Sequence, residues 1–281
     1  MPTKVRKTSP AKRTSSPQKK NGKTSSKRAA GFPIVGIGAS AGGLETLEAF
    51  FSRMPPEANM AFVIIQHLSP NFKSIMASLL AKHTRMTVSE IEDGTPLAPN
   101  CVYLNPPNKN VAVFNRTLHL MEPVKSGAIN MPIDFFFRSL SEDQKENAIG
   151  IIVSGTASDG TLGIKAIKGE GGMVMAQDPD TAKYDGMPRS AIGTGLVDFI
   201  LPVEKMPKTL FDYVKHPFLK SPGKINVAET TIKHQLRKVF ALIRNATGHD
   251  FSQYKQTTIR RRIERRLAVH QIDKLTDYLV Y

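Results

Sequence analysis

At 281 residues the chain is long enough for one large α/β domain with something smaller beside it. A single cysteine, Cys101, excludes an internal disulfide framework and points to a cytoplasmic setting. No stretch is apolar for long enough to make a membrane helix or a signal-peptide core. The formal net charge of +15 suggests nucleic acid until it is divided along the chain: residues 1–30 hold ten Lys and Arg and no acid, residues 225–281 hold eleven against five acids, and the middle keeps a net charge of −1.

In chain order, residues 1–30 come first, with Ser, Thr and Pro between the basic residues. They have too little apolar surface to offset the entropy of ordering, and disorder is the expectation. Such a tail either keeps the chain soluble or touches polyanions, with an affinity that falls as salt rises.

Ile34-Val-Gly-Ile-Gly-Ala-Ser-Ala-Gly-Gly43 then reads as a buried strand, a glycine-rich turn and the start of a helix near Ser40, whose apolar residues are Leu44, Leu47, Phe50 and Phe51. Backbone amides at a helix start are unpaired and meet the positive end of the helix dipole, which suits an anion or an oxyanion. Three readings are open for this turn. Gly36-x-Gly38-x-x-x-Gly42 is one residue off a dinucleotide fingerprint; Ser40 is a nucleophile beside an oxyanion hole; or Ser40 caps the helix. A P-loop is excluded, because no Gly-Lys-Ser/Thr follows.

Ala61–Ile65 is a second apolar run and ends in Gln66-His67, where a dinucleotide fold would place an acid for the ribose. A helix is expected over Phe72–Leu80 and a short strand over Thr87–Ile91. Val102–Leu104, Val111–Phe114 and Thr117–Met121 are strand-like, and the last two flank a tight Asn115-Arg116 turn, as in an antiparallel hairpin. A helix led by Pro132 follows over Ile133–Leu140. Ala148–Val153 is the next buried strand, and Ser154-Gly-Thr-Ala-Ser-Asp-Gly160 leads from it to a helix near Leu162. Met173–Met175 and Val197–Leu201 add two more strands.

This alternation predicts an α/β fold: a doubly wound, three-layer parallel sheet with an antiparallel hairpin, and a small all-α segment at the C-terminal end. In such sheets the site lies at the carboxyl ends of the strands, where Ser40, His67 and Asp159 would meet. A serine hydroxyl needs an imidazole to take its proton and a carboxylate to orient that imidazole, and the three loops supply one of each. Taken singly, His67 also fits a core histidine, and Asp159 a cap for the helix near Leu162.

Ile37-Gly-Ala-Ser-Ala-Gly-Gly43, Gln66-His67, Ser154-Gly-Thr-Ala-Ser-Asp-Gly160 and Tyr184-Asp-Gly-Met-Pro-Arg-Ser-Ala191 together resemble the catalytic domain of the chemotaxis protein-glutamate methylesterase, CheB, over about residues 32–215. The resemblance implies a serine esterase that hydrolyses glutamyl methyl esters on chemoreceptors and often deamidates their glutamines. It matches Ser40 to the nucleophile, His67 to the base and Asp159 to the orienting acid. Ala41, Gly42, Thr156 and Arg189 are the candidates for oxyanion and substrate contacts. Thr156 departs from the methionine of the best-known members. A basic tail also stands where CheB usually carries a receiver domain, so control by phosphorylation in cis is not expected.

From Glu229 the pattern changes. Leu236, Val239, Phe240 and Ile243 recur at helical spacing, and Ile259, Ile263 and Leu267 form a second stripe with arginines on the other faces. This part resembles the helical N-terminal domain of the CheR chemoreceptor methyltransferase, without the domain that binds S-adenosylmethionine. Arg261, Arg262, Arg265 and Arg266 are accordingly the receptor-docking candidates. A solvated helix face and a nucleic-acid-tracking helix are the competing readings.

The expected organisation is a basic leader (1–30), a CheB-type catalytic domain (31–215), a linker (216–229) and an incomplete CheR-type segment (230–281). The expected activity is hydrolysis of protein glutamate methyl esters, with no cofactor or metal and with chemoreceptor cytoplasmic domains as partners. Nucleic-acid binding and membrane insertion are not expected. The alternative is a catalytically idle esterase fold that binds receptors or nucleic acid through its basic ends.

Overall fold

The computed structural model describes residues 31–68, 75–123, 129–216, 219 and 229–280. The basic leader expected to be disordered, the first residues of the helix expected over Phe72–Leu80 and most of the expected linker lie outside the described residues.

Apolar runs too short for helices and buried on both faces become the central strands of a parallel sheet, flanked by less buried edge strands. Among the described residues seven strands form it: β1 (Ile34–Ala39), β2 (Ala61–Gln66), β3 (Thr87–Glu90), β5 (Cys101–Leu104), β8 (Ala148–Ile152), β9 (Met173–Gln177) and β10 (Phe199–Leu201), in the order β10-β9-β8-β1-β2-β5-β3. The chain begins in the middle at β1, builds outward through β2, then returns to lay β8 on the other side of β1. That reversal makes a topological switch point, the place where open α/β sheets carry their sites.

Helices cover both faces. Helix α1 (Gly43–Phe51), α2 (Met76–Leu80) and α6 (Met206–Lys215) share a core with Val35, Ile37, Phe62 and Ile64. Helix α3 (Pro132–Gln144), α4 (Thr161–Gly169) and α5 (Gly186–Ile192) share the opposite core with Ile34, Val63 and Ile65. Gly36 and Gly38 belong to this second face, and they explain the glycine-rich β1. A Cβ on Gly38 would stand 2.5 Å from Ile133 Cγ2, and one on Gly36 would stand 2.9 Å from the rings of Phe136 and Phe137. These glycines let α3 lie directly against β1, a packing role rather than a phosphate-binding one.

The expected hairpin is present as β6 (Asn110–Phe114) and β7 (Thr117–Met121), joined with β4 (Thr95–Pro96) in a separate antiparallel sheet of order β4-β7-β6. Asn115 (φ 49°) and Arg116 (φ 62°) both take the left-handed conformation that a two-residue hairpin turn demands. Their amides donate to the Asp143 carboxylate at 2.6 and 3.3 Å, which ties the turn to α3.

At the C-terminal end, α7 (Glu229–Thr247), α8 (Gln256–Val269) and α9 (Leu275–Tyr278) enclose a small core of Leu236, Val239, Phe240, Ile263, Leu267 and Leu275. Both predicted apolar stripes are therefore used. Ala268 and Val269, at the end of α8, join the main core with Leu210 and Tyr213. Among the described residues no helix is long and apolar enough to cross a membrane.

Candidate active site

Because Ala39 on β1 is in register with Gln66 on β2, the next residues, Ser40 and His67, leave adjacent strands at the same level. Strand β8 delivers Ser154 beside them: Ser40 N donates to Ser154 O at 3.0 Å. Helix α1 begins at Gly43, and its N-cap is Gly42 in the left-handed conformation (φ 71°) with no side-chain capping bond. Ser40 is therefore not the cap, and its hydroxyl has no hydrogen-bond partner among the described residues. Gly43 N donates to Ser40 O at 2.9 Å, while the amides of Ala41 and Gly42 carry no partner among the described residues and remain available to an oxyanion.

His67 is not a core histidine; its side chain is 35 % exposed and its Nε2 lies 2.7 Å from Oδ2 of Asp159, whose carboxylate is fully buried. Asp159 does more than cap the helix that follows it. Its Oδ1 accepts from Gly160 N (2.8 Å) and Asp134 N (2.9 Å), and its Oδ2 also accepts from Ile133 N (3.0 Å). The latter two amides are the unpaired donors of the first turn of α3, so the positive end of that helix meets the carboxylate. A fully buried charge needs this number of donors.

The rest of the wall is held by side chains bonded to main chain. Gln177, at the end of β9, accepts from Ser154 N at 2.9 Å, and Ser154 Oγ donates to Ala41 O at 2.9 Å and accepts from Tyr184 N at 3.1 Å. Gly155 lies so close to the nucleophile loop that a Cβ there would stand 2.9 Å from the Ser40 Cβ. Thr156 is exposed beside Ala157, which holds a left-handed φ of 65° that non-glycine residues seldom adopt. Arg189 lies on α5, and its Nε donates to Asp185 at 2.5 Å; that carboxylate, with the charge it brings, raises the guanidinium pKa. Among the described residues no group of three or more His, Cys, Asp or Glu side chains is placed to hold a metal.

A family model described as CheB methylesterase matches residues 35–210, which contain every residue of this site. The chain belongs to the CheB methylesterase family. A second model, the all-alpha domain of CheR methyltransferase, matches residues 234–281. The CheB methylesterase catalytic domain of Thermotoga maritima superposes with a TM-score of 0.60 at 34 % identity, covering 65 % of this chain and 98 % of that one. Among curated relatives, a protein-glutamate methylesterase/protein-glutamine glutaminase of the same organism is 33 % identical over 198 residues, 68 % of this chain and 57 % of the relative. An uncharacterized 104.1 kDa protein of Rhodobacter capsulatus is 37 % identical over 224 residues, 73 % of this chain and 23 % of the relative. The chain thus spans about half or less of these curated relatives.

The structure also locates the four C-terminal arginines on α8. Arg261 Nη1 lies 3.6 Å from Glu146, and Arg265 Nη2 donates to Asn147 at 3.1 Å, both on the turn between α3 and β8. Arg265 also lines a cleft together with Arg262, Arg266, Lys168, Asp198 and Tyr213. Two features of the site escaped the sequence reading: the amides of Ile133 and Asp134, and the Gln177–Ser154–Tyr184 chain of bonds. The Pro132 start of α3 was legible, but nothing local says that its first turn faces a carboxylate 25 residues further on.

Proposed function

We propose that this CheB-family domain hydrolyses glutamyl methyl esters on chemoreceptor cytoplasmic domains through Ser40, His67 and Asp159. The observation that carries this reading is the 2.7 Å pairing of His67 Nε2 with the buried Asp159 at the carboxyl end of the strand beside Ser40. With Nε2 donating to the carboxylate, Nδ1 is the nitrogen left to accept the Ser40 proton. Ser40 Oγ attacks the ester carbonyl as His67 takes that proton. The carbonyl oxygen becomes an oxyanion, for which the free amides of Ala41 and Gly42 are the nearest donors in sequence. The intermediate collapses, His67 returns the proton to the departing methoxide, and methanol leaves an acyl-Ser40. Water, deprotonated by His67, then releases the glutamate and restores the serine. The same steps on a glutamine side chain expel ammonia, which is the deamidation that the relatives' name implies.

No hydrogen bond joins Ser40 Oγ to His67 in the free enzyme. Catalytic hydrogen bonds that tighten only with substrate bound are common. Arg262 and Arg266 are exposed and fit a role in drawing in acidic receptor surface, while Arg265 donates to Asn147 and Arg261 lies near Glu146.

The test is methanol release from a methylated chemoreceptor cytoplasmic fragment. The parent chain is expected to release methanol, and Ser40→Ala, which keeps the Ser40 N to Ser154 O bond, to release none above background. Equal release by both would sink the serine mechanism. No release by either would favour an idle fold.

A further inference from the structure

Asp159 has a counterpart. Asp134, in the first turn of α3, is 3 % exposed, and its Oδ1 accepts from Gly163 N, in the first turn of α4, at 2.7 Å. Asp159, just before α4, accepts in turn from Ile133 N and Asp134 N in the first turn of α3. Each helix start is thus capped by a carboxylate from the other, although neither helix has a capping side chain at its own N-cap position. Two buried carboxylates side by side is a costly arrangement. Burial raises the Asp134 pKa, the Gly163 amide opposes that rise, and the neighbouring Asp159 adds to it. Arg138, one turn along α3, supplies a compensating positive charge. No local side chain can cap α4 instead: Gly160, at its N-cap, holds φ 95°, and a Cβ there would stand 2.4 Å from Ile152 Cδ1. The close packing leaves no slack: a Cβ on Gly163 would stand 2.4 Å from Phe137 Cβ, and one on Gly160 would stand 3.0 Å from Ile133 Cγ2.

We propose that Asp134 is a positioning residue for the esterase reaction: by locking the first turn of α4 to that of α3 it fixes the Asp159 carboxylate, and through it the ring of His67. Asp134 touches neither substrate nor the reacting atoms; it acts only through Asp159. The inference rests on the Ser40-His67-Asp159 reading for its kinetic consequence and on the geometry alone for its spectroscopic one.

Three proteins decide it: the parent, Asp134→Ala and Asp134→Asn, compared where all are fully folded by circular dichroism. Asn keeps an oxygen for Gly163 N and removes the charge; Ala removes both. Turnover of a methyl ester is measured with the downfield proton resonance of the His67 Nε2–H bonded to Asp159. Asp134→Ala is expected to lower kcat about 10- to 100-fold with KM unchanged, as for a catalytic group displaced by about 1 Å, and to broaden or move the resonance. Asp134→Asn is expected to restore both. Parent-like kcat and resonance in folded Asp134→Ala would reduce Asp134 to a structural cap and overturn the proposal, as would an Asn variant no better than the Ala one. Should Ser40→Ala leave ester hydrolysis intact, the triad reading falls, and the resonance still decides whether Asp134 orders His67.

Discussion

At the scale of single residues, Asp159 holds a charge that is fully buried and bonded to three amides and one imidazole. An asparagine in its place has one acceptor oxygen instead of two, and its NH2 must face either Ile133 N or the Asp134 and Gly160 amides. Asp159→Asn is therefore predicted to lose about 1–3 kcal/mol of stability for a buried donor left unpaired. It should also lose about 10⁴-fold in kcat, because the histidine is held in the wrong tautomer. Chemical denaturation and steady-state kinetics on the same preparation check both. Full stability with lost activity would mean that the amides find other partners. The placement of Ser40, His67 and Asp159 at neighbouring strand ends was legible in the sequence, because each sits one loop beyond a recognisable buried strand. The cap reading of Ser40 could not be settled there, since the choice between Ser40 and Gly42 depends on a backbone φ that a string of small residues leaves open.

One element, α3, connects the core to the chemistry. Its apolar face presses Ile133, Phe136 and Phe137 onto the glycines of β1, while its first two amides meet Asp159. Moving the helix outward should disturb both. Gly38→Ala places a Cβ against Ile133 Cγ2 and is predicted to cost about 1–3 kcal/mol by overpacking, with a loss of kcat as the α3 amides shift. Ile133→Ala alone should cost about 2–5 kcal/mol through the cavity it leaves. Combining the two should recover part of the sum, since the small side chain makes room for the new methyl. Strictly additive losses, measured by a double-mutant cycle, would show that the contact does not couple them. Glycines that suggested a nucleotide turn in the sequence are explained by this helix. Spacing alone could not separate the two uses, since both require a backbone approached closely by something else.

Across the whole molecule, the C-terminal helices pack on the catalytic domain, with Ala268 and Val269 in its core and Arg261 and Arg265 against Glu146 and Asn147. Two histidines lie near this junction. Burial lowers the pKa of His216, at the end of α6, and that of His270, at the end of α8, where Arg266 lowers it further; Asp273 and Asp198 respectively oppose the shift. A histidine whose folded pKa is depressed takes up more protons when unfolded. Stability from these groups is therefore full above the ordinary histidine value of about 6.5 and is lost as pH falls through it. The melting temperature is predicted to fall between neutral and mildly acidic pH, less so in a His216→Gln, His270→Gln variant. An unchanged slope in that variant would place the sensitive groups elsewhere. The charge partition foresaw a near-neutral middle between basic ends, and the periodicity foresaw both apolar stripes. What the periodicity lacked was the bond from Arg265 to Asn147 and the pairing of Arg261 with Glu146, because a 3.6-residue pattern distinguishes apolar from polar faces but not which polar side chains meet another element.

That Ser40 is the nucleophile and His67 its base is tested most directly by covalent capture. A fluorophosphonate that reacts with activated serines is added to the whole chain, and the modified peptide is identified by mass spectrometry. The label should fall on Ser40 and on no other serine, and His67→Gln should abolish it while the protein stays folded. Labelling that survives His67→Gln, or ester hydrolysis by a protein whose Ser40 has been fully blocked, would contradict the mechanism.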